Sequence, residues 1–120
     1  MAKNELFDVK NKTALITGGS SGIGAFFAKV LSQAGARVYL VGRRASLLRK
    51  VLGDKNGRVF PIDLSLTGSA EDLFNQVACE EKQPDIIVNA AGINPRIHAD
   101  EISESEWHYS VNLNLNVPFL

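Results

Sequence analysis

The sequence predicts an α/β protein built on a doubly wound parallel sheet. Three observations support this prediction. Four short, apolar, β-branched runs alternate with helical patterns, the runs are almost continuously apolar, and a glycine-rich turn follows the first run. Continuous apolar character is typical of strands that are covered on both faces, as in a parallel sheet. The predicted order is β-α-β-α-β-α-β followed by a helix, which favours right-handed crossovers.

The predicted strands are short runs rich in valine, isoleucine, leucine and aromatic residues. They occupy residues 13–17, 37–41, 58–62 and 85–89. Each run is followed by small or polar residues, as expected where strands end in loops. The sequence therefore predicts four consecutive strands in one sheet.

Three helical patterns lie between these strands. In the first, one helical face carries Ile23, Phe27, Val30, Leu31 and Ala34, and Gly35 is placed to end the helix. The second covers residues 45–52 and ends at Gly53. In the third, Ser69 is predicted to be the N-cap, and the apolar residues that follow at helical spacing are Ala70, Leu73, Phe74 and Val77.

The last segment gives conflicting signals. Residues 111–117 alternate strictly between apolar residues and asparagine, which local rules interpret as a strand. Residues 103–107, just upstream, have the serines and acids typical of a helix N-terminus. The residues alone leave strand and helix open.

Bulk composition excludes several classes of function. The 13 basic and 13 acidic residues balance, so we expect no nucleic-acid partner and no membrane partner. The single cysteine, Cys79, cannot form an internal disulfide, and the N-terminus does not resemble a signal peptide, so a cytoplasmic location is expected. His98 and His108 belong to no cluster with ligand spacing, so no metal site is predicted.

The charges are distributed unevenly along the chain. Residues 9–53 contain eight basic residues and no acidic ones, whereas residues 54–120 contain four basic and eleven acidic residues. Such asymmetry suggests that one side of the molecule receives an anion. A solvated basic face is the alternative.

The strongest motif is the glycine-rich turn of residues 17–24, between the first strand and the first helix. Backbone N–H groups and the positive end of a helix together bind phosphate, and glycine lets the backbone approach it closely. We expect Gly18 to allow the turn, Gly22 and Gly24 to allow close approaches, and Ser20 and Ser21 to add hydroxyl donors. The motif and its position predict a dinucleotide site, and Ile23 belongs to it.

These residues resemble the cofactor signature of the short-chain dehydrogenase/reductase family, Thr-Gly-x-x-x-Gly-Ile-Gly. Three further segments match that family in order. Asp63 and Leu64 close the third strand, where the resemblance implies contacts with adenine. The segment closing the fourth strand resembles Asn-Asn-Ala-Gly and consists of Asn89, Ala90, Ala91 and Gly92; alanine replaces its second asparagine. Residues 107–120 resemble the start of the family's next long helix, which bends near an asparagine, and this favours helix over strand.

The resemblance implies a Rossmann-like fold and a nicotinamide dinucleotide cofactor. In dinucleotide sites that prefer NAD, an acid after the second strand binds the ribose hydroxyls, and an arginine replaces it in NADP sites. Here Gly42 stands where the acid would be, and Arg43 and Arg44 follow it. Arg43 is the first candidate for the 2′-phosphate and Arg44 the second. NADP(H) is therefore predicted ahead of NAD(H).

The family's catalytic tyrosine, lysine and serine have no counterpart in this sequence. Arg43 follows Tyr39 by four residues and Leu113 follows Tyr109, so neither tyrosine forms Tyr-x-x-x-Lys. The family's catalytic asparagine corresponds to Asn114, with Asn112 as the rival if the register shifts by two. We expect residues 1–120 to form a single NAD(P)-binding domain that ends before the catalytic tyrosine and lysine, and that is inactive alone.

The expected function follows from this resemblance. The parent protein is predicted to transfer hydride between NADP(H) and a small alcohol or carbonyl substrate. The alternative is a non-catalytic dinucleotide-binding or sensing module. Because half a sheet exposes apolar surface, and because the family's last matched helix lies at a dimer interface, a homo-oligomer is also expected.

Overall fold

A computed structural model describes residues 5–93 and 96–120. Its centre is a parallel sheet of four strands in the spatial order β3-β2-β1-β4. The strands are β1 (Thr13–Thr17), β2 (Arg37–Gly42), β3 (Gly57–Pro61) and β4 (Ile86–Asn89). All four predicted strands are present, and their ends differ from the predicted ends by at most one residue. The α/β prediction is confirmed.

Helices cover both faces of the sheet. One face carries α1 (Gly22–Gln33) and α2 (Ala45–Leu52), and the other carries α3 (Ser69–Ala78). After β4 come α4 (Glu104–Val111), a π-helical turn (Asn112–Asn116) and the short α5 (Val117–Phe119); a 3₁₀ turn (Glu5–Phe7) precedes β1. The chain first winds outward from β1 to β3 and then returns to place β4 on the other side of β1. Parallel sheets of this kind bind ligands at the strand ends where the winding direction changes.

The strands β1 and β2 form the centre of the core. Ala14, Ile16, Val38 and Leu40 pack on one side of the sheet with Ala28 of α1 and Leu48 of α2. Leu15, Tyr39 and Val41 pack on the other side with Leu73 and Val77 of α3. Both faces are therefore buried, which is why the runs are continuously apolar. The strand β4 lies at the edge, and Ile87 on it remains 64% exposed.

The buried face of α1 differs from the predicted one. Ala28 is buried against the sheet and the predicted Leu31 is partly buried beside it, whereas Ile23 is 71% exposed. Phe27 and Val30 also remain exposed, and the buried Gly24 packs on the glycine-rich turn. Periodicity selects the face with the largest apolar side chains, but close packing of helix on sheet selects small ones. A similar local error affects α3, where Gly68 with φ +80° is the N-cap and the predicted cap, Ser69, is the first helical residue.

The conflicting last segment is helical, as the family resemblance implied. Residues 112–116 form a π-helical turn between α4 and α5. The backbone of the alternating, asparagine-rich segment is therefore helical and not an extended strand. Single π turns inside α-helices occur frequently at functional sites.

Within the described ranges, no helix combines the length and apolar composition needed to cross a bilayer.

Candidate functional site

A cavity of about 340 Å³ opens at the carboxyl end of the sheet. The glycine-rich turn, the end of β2, the end of β3, the segment after β4 and helix α4 all contribute to its wall. The predicted cofactor residues that line it are Gly18, Ser20, Ser21, Gly22, Ile23, Arg43, Arg44, Asp63, Leu64, Ala90, Ala91 and Gly92. Gly24 and Asn89 do not line it. The fold thus brings four separate sequence segments to one place.

The glycine-rich turn is packed tightly against the neighbouring strands. Gly18 adopts φ +66°, and a Cβ there would lie 2.8 Å from the carbonyl oxygen of Ala90. The N–H of Gly19 donates to the carbonyl of Val41 at 3.1 Å. A side chain at position 18 would therefore push the turn away from the segment after β4, which forms the opposite wall of the cavity.

Gly22 and Gly24 have different steric roles. Gly22 adopts φ +56°, lines the cavity, and a Cβ there would meet no atom within 4 Å. A Cβ on Gly24 would instead collide with the carbonyl oxygen of Gly18. Gly22 therefore keeps space open beside the cavity, whereas Gly24 lets the first turn of α1 pack on the glycine-rich turn.

The N-terminus of α1 is left available to an anion. Its N-cap, Ser21, makes no side-chain hydrogen bond to the first turn, and that turn contains no acidic residue. The first N–H groups of a helix have no acceptor within the helix and carry a partial positive charge. Since Gly22 and Ile23 line the cavity, this positive end belongs to its wall.

Two arginines border the cavity after β2. Arg44 donates from Nη2 to the hydroxyl of Ser20 at 3.2 Å and so connects α2 with the glycine-rich turn. Arg43 is exposed, and its guanidinium pairs with none of the described residues. Arg43 thus has its donors free for a ligand, whereas Arg44 shares one of its donors with Ser20.

Asp63 shapes the turn that follows β3. Its Oδ1 accepts hydrogen bonds from the backbone N–H of Ser65 at 3.0 Å and from the Ser65 hydroxyl at 2.6 Å. Leu64 is buried in the core cluster below. Both residues line the cavity, and their contacts with adenine remain a prediction.

The segment after β4 is held by Thr17, the first residue of the glycine-rich turn, to which the sequence analysis assigned no role. The hydroxyl of Thr17 accepts from the N–H of Ala91 at 3.2 Å and donates to the carbonyl of Val88 at 3.5 Å. A buried threonine at the end of β1 is the signal that would have identified it.

Asn89 is exposed and lines a separate, apolar cavity with Leu15 and Phe74.

The two asparagine candidates hold different loops. Asn114 accepts from the N–H of Ile93 and donates to its carbonyl, both at 2.8 Å. A Cβ on Gly92 would lie 2.8 Å from Asn114 Oδ1, so glycine there admits this side chain. Asn112 instead donates to the carbonyl of Ser65 at 3.1 Å. Asn114 does not line the cavity but is hydrogen-bonded to Ile93, which does, and the assignment of Asn114 as catalytic stays a prediction.

Replacing Asn114 with aspartate is expected to lower the free energy of unfolding by about 1–2 kcal/mol, because the new oxygen cannot donate to the Ile93 carbonyl. Urea denaturation followed by far-UV circular dichroism measures the difference. Asn116→Asp is the matched control, since Asn116 lies in the same π-helical turn, is exposed and makes no side-chain hydrogen bond within the described ranges. Equal losses in both variants would show that the Ile93 contact contributes nothing.

The start of α4 is fixed by a capping box. The Ser103 hydroxyl accepts from the Glu106 N–H at 3.2 Å, and the Glu106 carboxylate accepts from the Ser103 N–H at 2.8 Å. The hydrogen bond from the Ser103 backbone, followed by that from its side chain, lowers the pKa of Glu106. This cap sets where α4 begins, and α4 presents Tyr109 to the cavity wall.

The cavity wall also contains residues that the sequence analysis did not assign to the site. They are Val41, Ile62, Ile93, Tyr109 and Leu113. The helical spacing of four between Tyr109 and Leu113 was a usable signal, but only once the segment was known to be helical.

Within residues 5–93 and 96–120, no group of three potential metal ligands occurs.

Comparison with known proteins identifies similar chains. The family model described as short chain dehydrogenase matches residues 12–120. The chain is 38% identical, over 98% of its length, to 2-dehydro-3-deoxy-D-gluconate 5-dehydrogenase of Bacillus subtilis strain 168, and covers 47% of that protein. The chain spans about half the length of the curated relatives it matches, or less.

Solved structures show the same fold. The Pseudomonas aeruginosa RhlG/NADP active-site complex aligns with a TM-score of 0.86 and 32% identity, over 94% of this chain and 46% of that one. A 4-hydroxyisoleucine dehydrogenase complexed with NADH aligns with a TM-score of 0.83 and 31% identity, over 91% of this chain and 45% of that one. Similar structures therefore include complexes with either cofactor.

Proposed function

Because the chain belongs to the short-chain dehydrogenase family of oxidoreductases, we propose that it binds NADP(H) in the cavity at the carboxyl end of the sheet. We propose further that residues 1–120 form a single cofactor-binding domain. The protein that carries it transfers hydride between NADP(H) and a small alcohol or carbonyl substrate. The observation that carries this proposal is the meeting of Arg43, Arg44 and the positive end of α1 at one cavity.

The residues of the cavity fit a dinucleotide phosphate. Gly22 leaves open space where any other residue would place a Cβ, and it lies at a helix end that offers unpaired N–H groups. We assign the pyrophosphate to this end, with hydroxyls from Ser20 and Ser21 beside it. Ligand cavities usually measure roughly 300–1,000 Å³, so about 340 Å³ suits part of a dinucleotide.

The choice of NADP(H) over NAD(H) rests on charge. The free guanidinium of Arg43 offers a planar pair of donors to a phosphate, and Gly42 replaces the carboxylate that would repel it. Arg44, held by Ser20, adds a second positive charge at the same edge. Among the described residues of the cavity wall, the one carboxylate is that of Asp63, which belongs to the turn after β3.

The bound cofactor would supply or accept the hydride, and these residues would position the cofactor. Asp63 and Leu64 would border the adenine. The part of the cavity that holds a ribose of the cofactor would be bordered by Ala90, Ala91 and Gly92. Asn114 would keep the Ile93 segment in place through its two hydrogen bonds. The tyrosine and lysine that move the proton in this family have no counterpart in residues 1–120.

We also propose that the chain associates with itself. Large apolar side chains lie exposed on α1, α3, β4 and α5 and at Leu120, which follows α5; those on the four elements include Phe26, Phe74, Ile87 and Phe119. Exposed apolar patches of this kind mark interaction surfaces or cause aggregation.

The free, exposed thiol of Cys79 is compatible with the cytoplasmic location that we propose.

The second candidate is a dinucleotide-binding or sensing module without catalytic activity. The cavity of residues 1–120 offers groups for cofactor binding, and this binding is common to the module and to the enzyme. The two functions differ in whether hydride transfer occurs after the cofactor has bound. Hydride transfer by the parent protein, measured as loss of NADPH absorbance with a panel of small carbonyl compounds, supports the enzyme, whereas binding without turnover supports the module.

Direct titration of the chain with NADPH and with NADH tests the cofactor assignment. We expect NADPH to bind at least about tenfold more tightly, because charge-assisted hydrogen bonds to the 2′-phosphate contribute about 1.5–3 kcal/mol. Calorimetry, or energy transfer from the single tryptophan Trp107 to the reduced nicotinamide, measures both affinities. Tighter binding of NADH would overturn the preference, and binding of neither cofactor would overturn the proposed function.

A further inference from the structure

Tyr109 lies in the wall between two cavities. It is half-buried on α4 and lines the cofactor cavity. Together with Ile93 it also lines a second cavity of about 340 Å³, whose other residues are Ser105, Glu106 and Ser110. Its hydroxyl has no hydrogen-bond partner among the residues that the structure describes. Neither core packing nor a hydrogen bond therefore accounts for an aromatic residue here.

The residues that follow Tyr109 along the chain contact the turn after β3 and the core beneath it. Leu113, one helical turn further along the chain, packs against the core cluster that contains Leu64. Asn112 donates to the carbonyl of Ser65 and ties the end of α4 to the same turn. Ile62, Leu64 and Leu113 give this part of the cavity an apolar surface, and Tyr109 adds an aromatic ring to it.

An apolar wall with one aromatic ring suits a flat aromatic ligand group. In a dinucleotide phosphate the phosphates require the N–H groups and arginines, which lie at the glycine-rich turn and after β2. The base requires apolar surface and a ring to pack against, because aromatic pairs stack or meet edge to face. The wall formed by Ile62, Leu64, Leu113 and Tyr109 offers both.

We propose that the ring of Tyr109 contacts the purine base of the bound dinucleotide and closes the cofactor cavity on the α4 side. This inference rests on the proposed function. Tyr109 acts as a binding residue, and the contact is made by the ring and not by the hydroxyl. An aliphatic side chain of similar size would keep the wall closed but would lose the ring contact.

The test uses adenosine 2′,5′-bisphosphate, which carries the base and the 2′-phosphate but no nicotinamide. Calorimetry compares its affinity for the wild-type chain, Tyr109→Phe, Tyr109→Leu and Tyr109→Ala. We expect the phenylalanine variant to stay within about twofold of wild type and the leucine and alanine variants to lose about tenfold, since base–aromatic stacking contributes roughly 1–3 kcal/mol per base. Unfolding curves identify any variant that fails to fold.

A second measurement needs no substitution at all. In the wild-type chain saturated with adenosine 2′,5′-bisphosphate, nuclear Overhauser effects are expected between the base protons and the ring protons of Tyr109. A chain that binds the probe without this contact, or whose alanine variant binds with unchanged affinity, overturns the role of Tyr109 and leaves the proposed function standing. A wild-type chain that binds neither the probe nor NADPH overturns both.

Discussion

Arg43→Ala is expected to weaken NADPH binding by about 30- to 100-fold and to change NADH binding by less than about threefold. A planar guanidinium that meets a phosphate makes charge-assisted hydrogen bonds of about 1.5–3 kcal/mol. The Arg43 guanidinium pairs with no described residue, so its removal breaks no contact within the described ranges. The lost free energy should therefore come from the 2′-phosphate, which NADH lacks.

Arg49→Ala is the matched control for this experiment. Arg49 is exposed on α2 and carries the same charge, but it does not line the cavity. We expect it to reduce NADPH affinity by less than about twofold, through the long-range field alone. Arg44→Ala should give a loss between the two, because Arg44 lies at the cavity but donates to Ser20. Equal losses of NADPH and NADH affinity in Arg43→Ala would mean that Arg43 does not recognise the 2′-phosphate.

Gly24→Ala is expected to lower the free energy of unfolding by about 3 kcal/mol. Helix propensity alone predicts the opposite, since alanine is favoured over glycine by about 1 kcal/mol inside a helix. The new Cβ would collide with the carbonyl oxygen of Gly18, a backbone atom that can move away only by shifting the whole glycine-rich turn. Overpacking against a rigid neighbour typically costs about 1–3 kcal/mol or more.

Gly22→Ala separates packing from ligand binding at the same turn. Its Cβ would meet no protein atom, so we expect only the strain of a left-handed backbone, about 1–2 kcal/mol. Because Gly22 lines the cavity, however, the variant should lose most of its NADPH affinity. Urea denaturation and NADPH titration of both variants provide the comparison. A Gly24→Ala chain as stable as wild type would contradict the packing role assigned to Gly24.

The strands and the ends of α2 were predictable because their signals are local. A strand covered on both faces needs apolar residues at every position, so its pattern is visible without knowledge of its neighbours. Gly53 ends α2 with φ +52°, a conformation that glycine adopts without strain. The last helix was different, because its local signals conflicted: the strict alternation predicted a strand and the serines and acids of residues 103–107 predicted a helix. The family resemblance favoured the helix, which forms a π turn at the alternating residues.

The candidate site was predicted in its parts and not in its arrangement. The glycine-rich turn and Arg43 were identified from residue type and position, whereas Asp63 and the segment after β4 were identified from the family resemblance. The fold places all of them around one cavity. The role of Thr17 was missed because its partner Ala91 lies far away in the sequence. The place of Tyr109 in the cavity wall was missed because the wall is assembled from separate segments of the chain. Asn89 belongs to the matched motif, yet its side chain lines the opposite, apolar cavity.

Residue types at short spacings along the chain were therefore enough to predict the α/β class, the family and the chemical character of the candidate cofactor site. The folded arrangement was needed to show that Gly24 serves helix packing while Gly22 keeps the cavity open, and that Asn114 holds Ile93. It was also needed to show that α1 packs Ala28 and Leu31 against the sheet and leaves its other large apolar residues exposed. Each of these depends on which backbone atoms come within contact distance across the fold, and no local pattern along the chain encodes those distances.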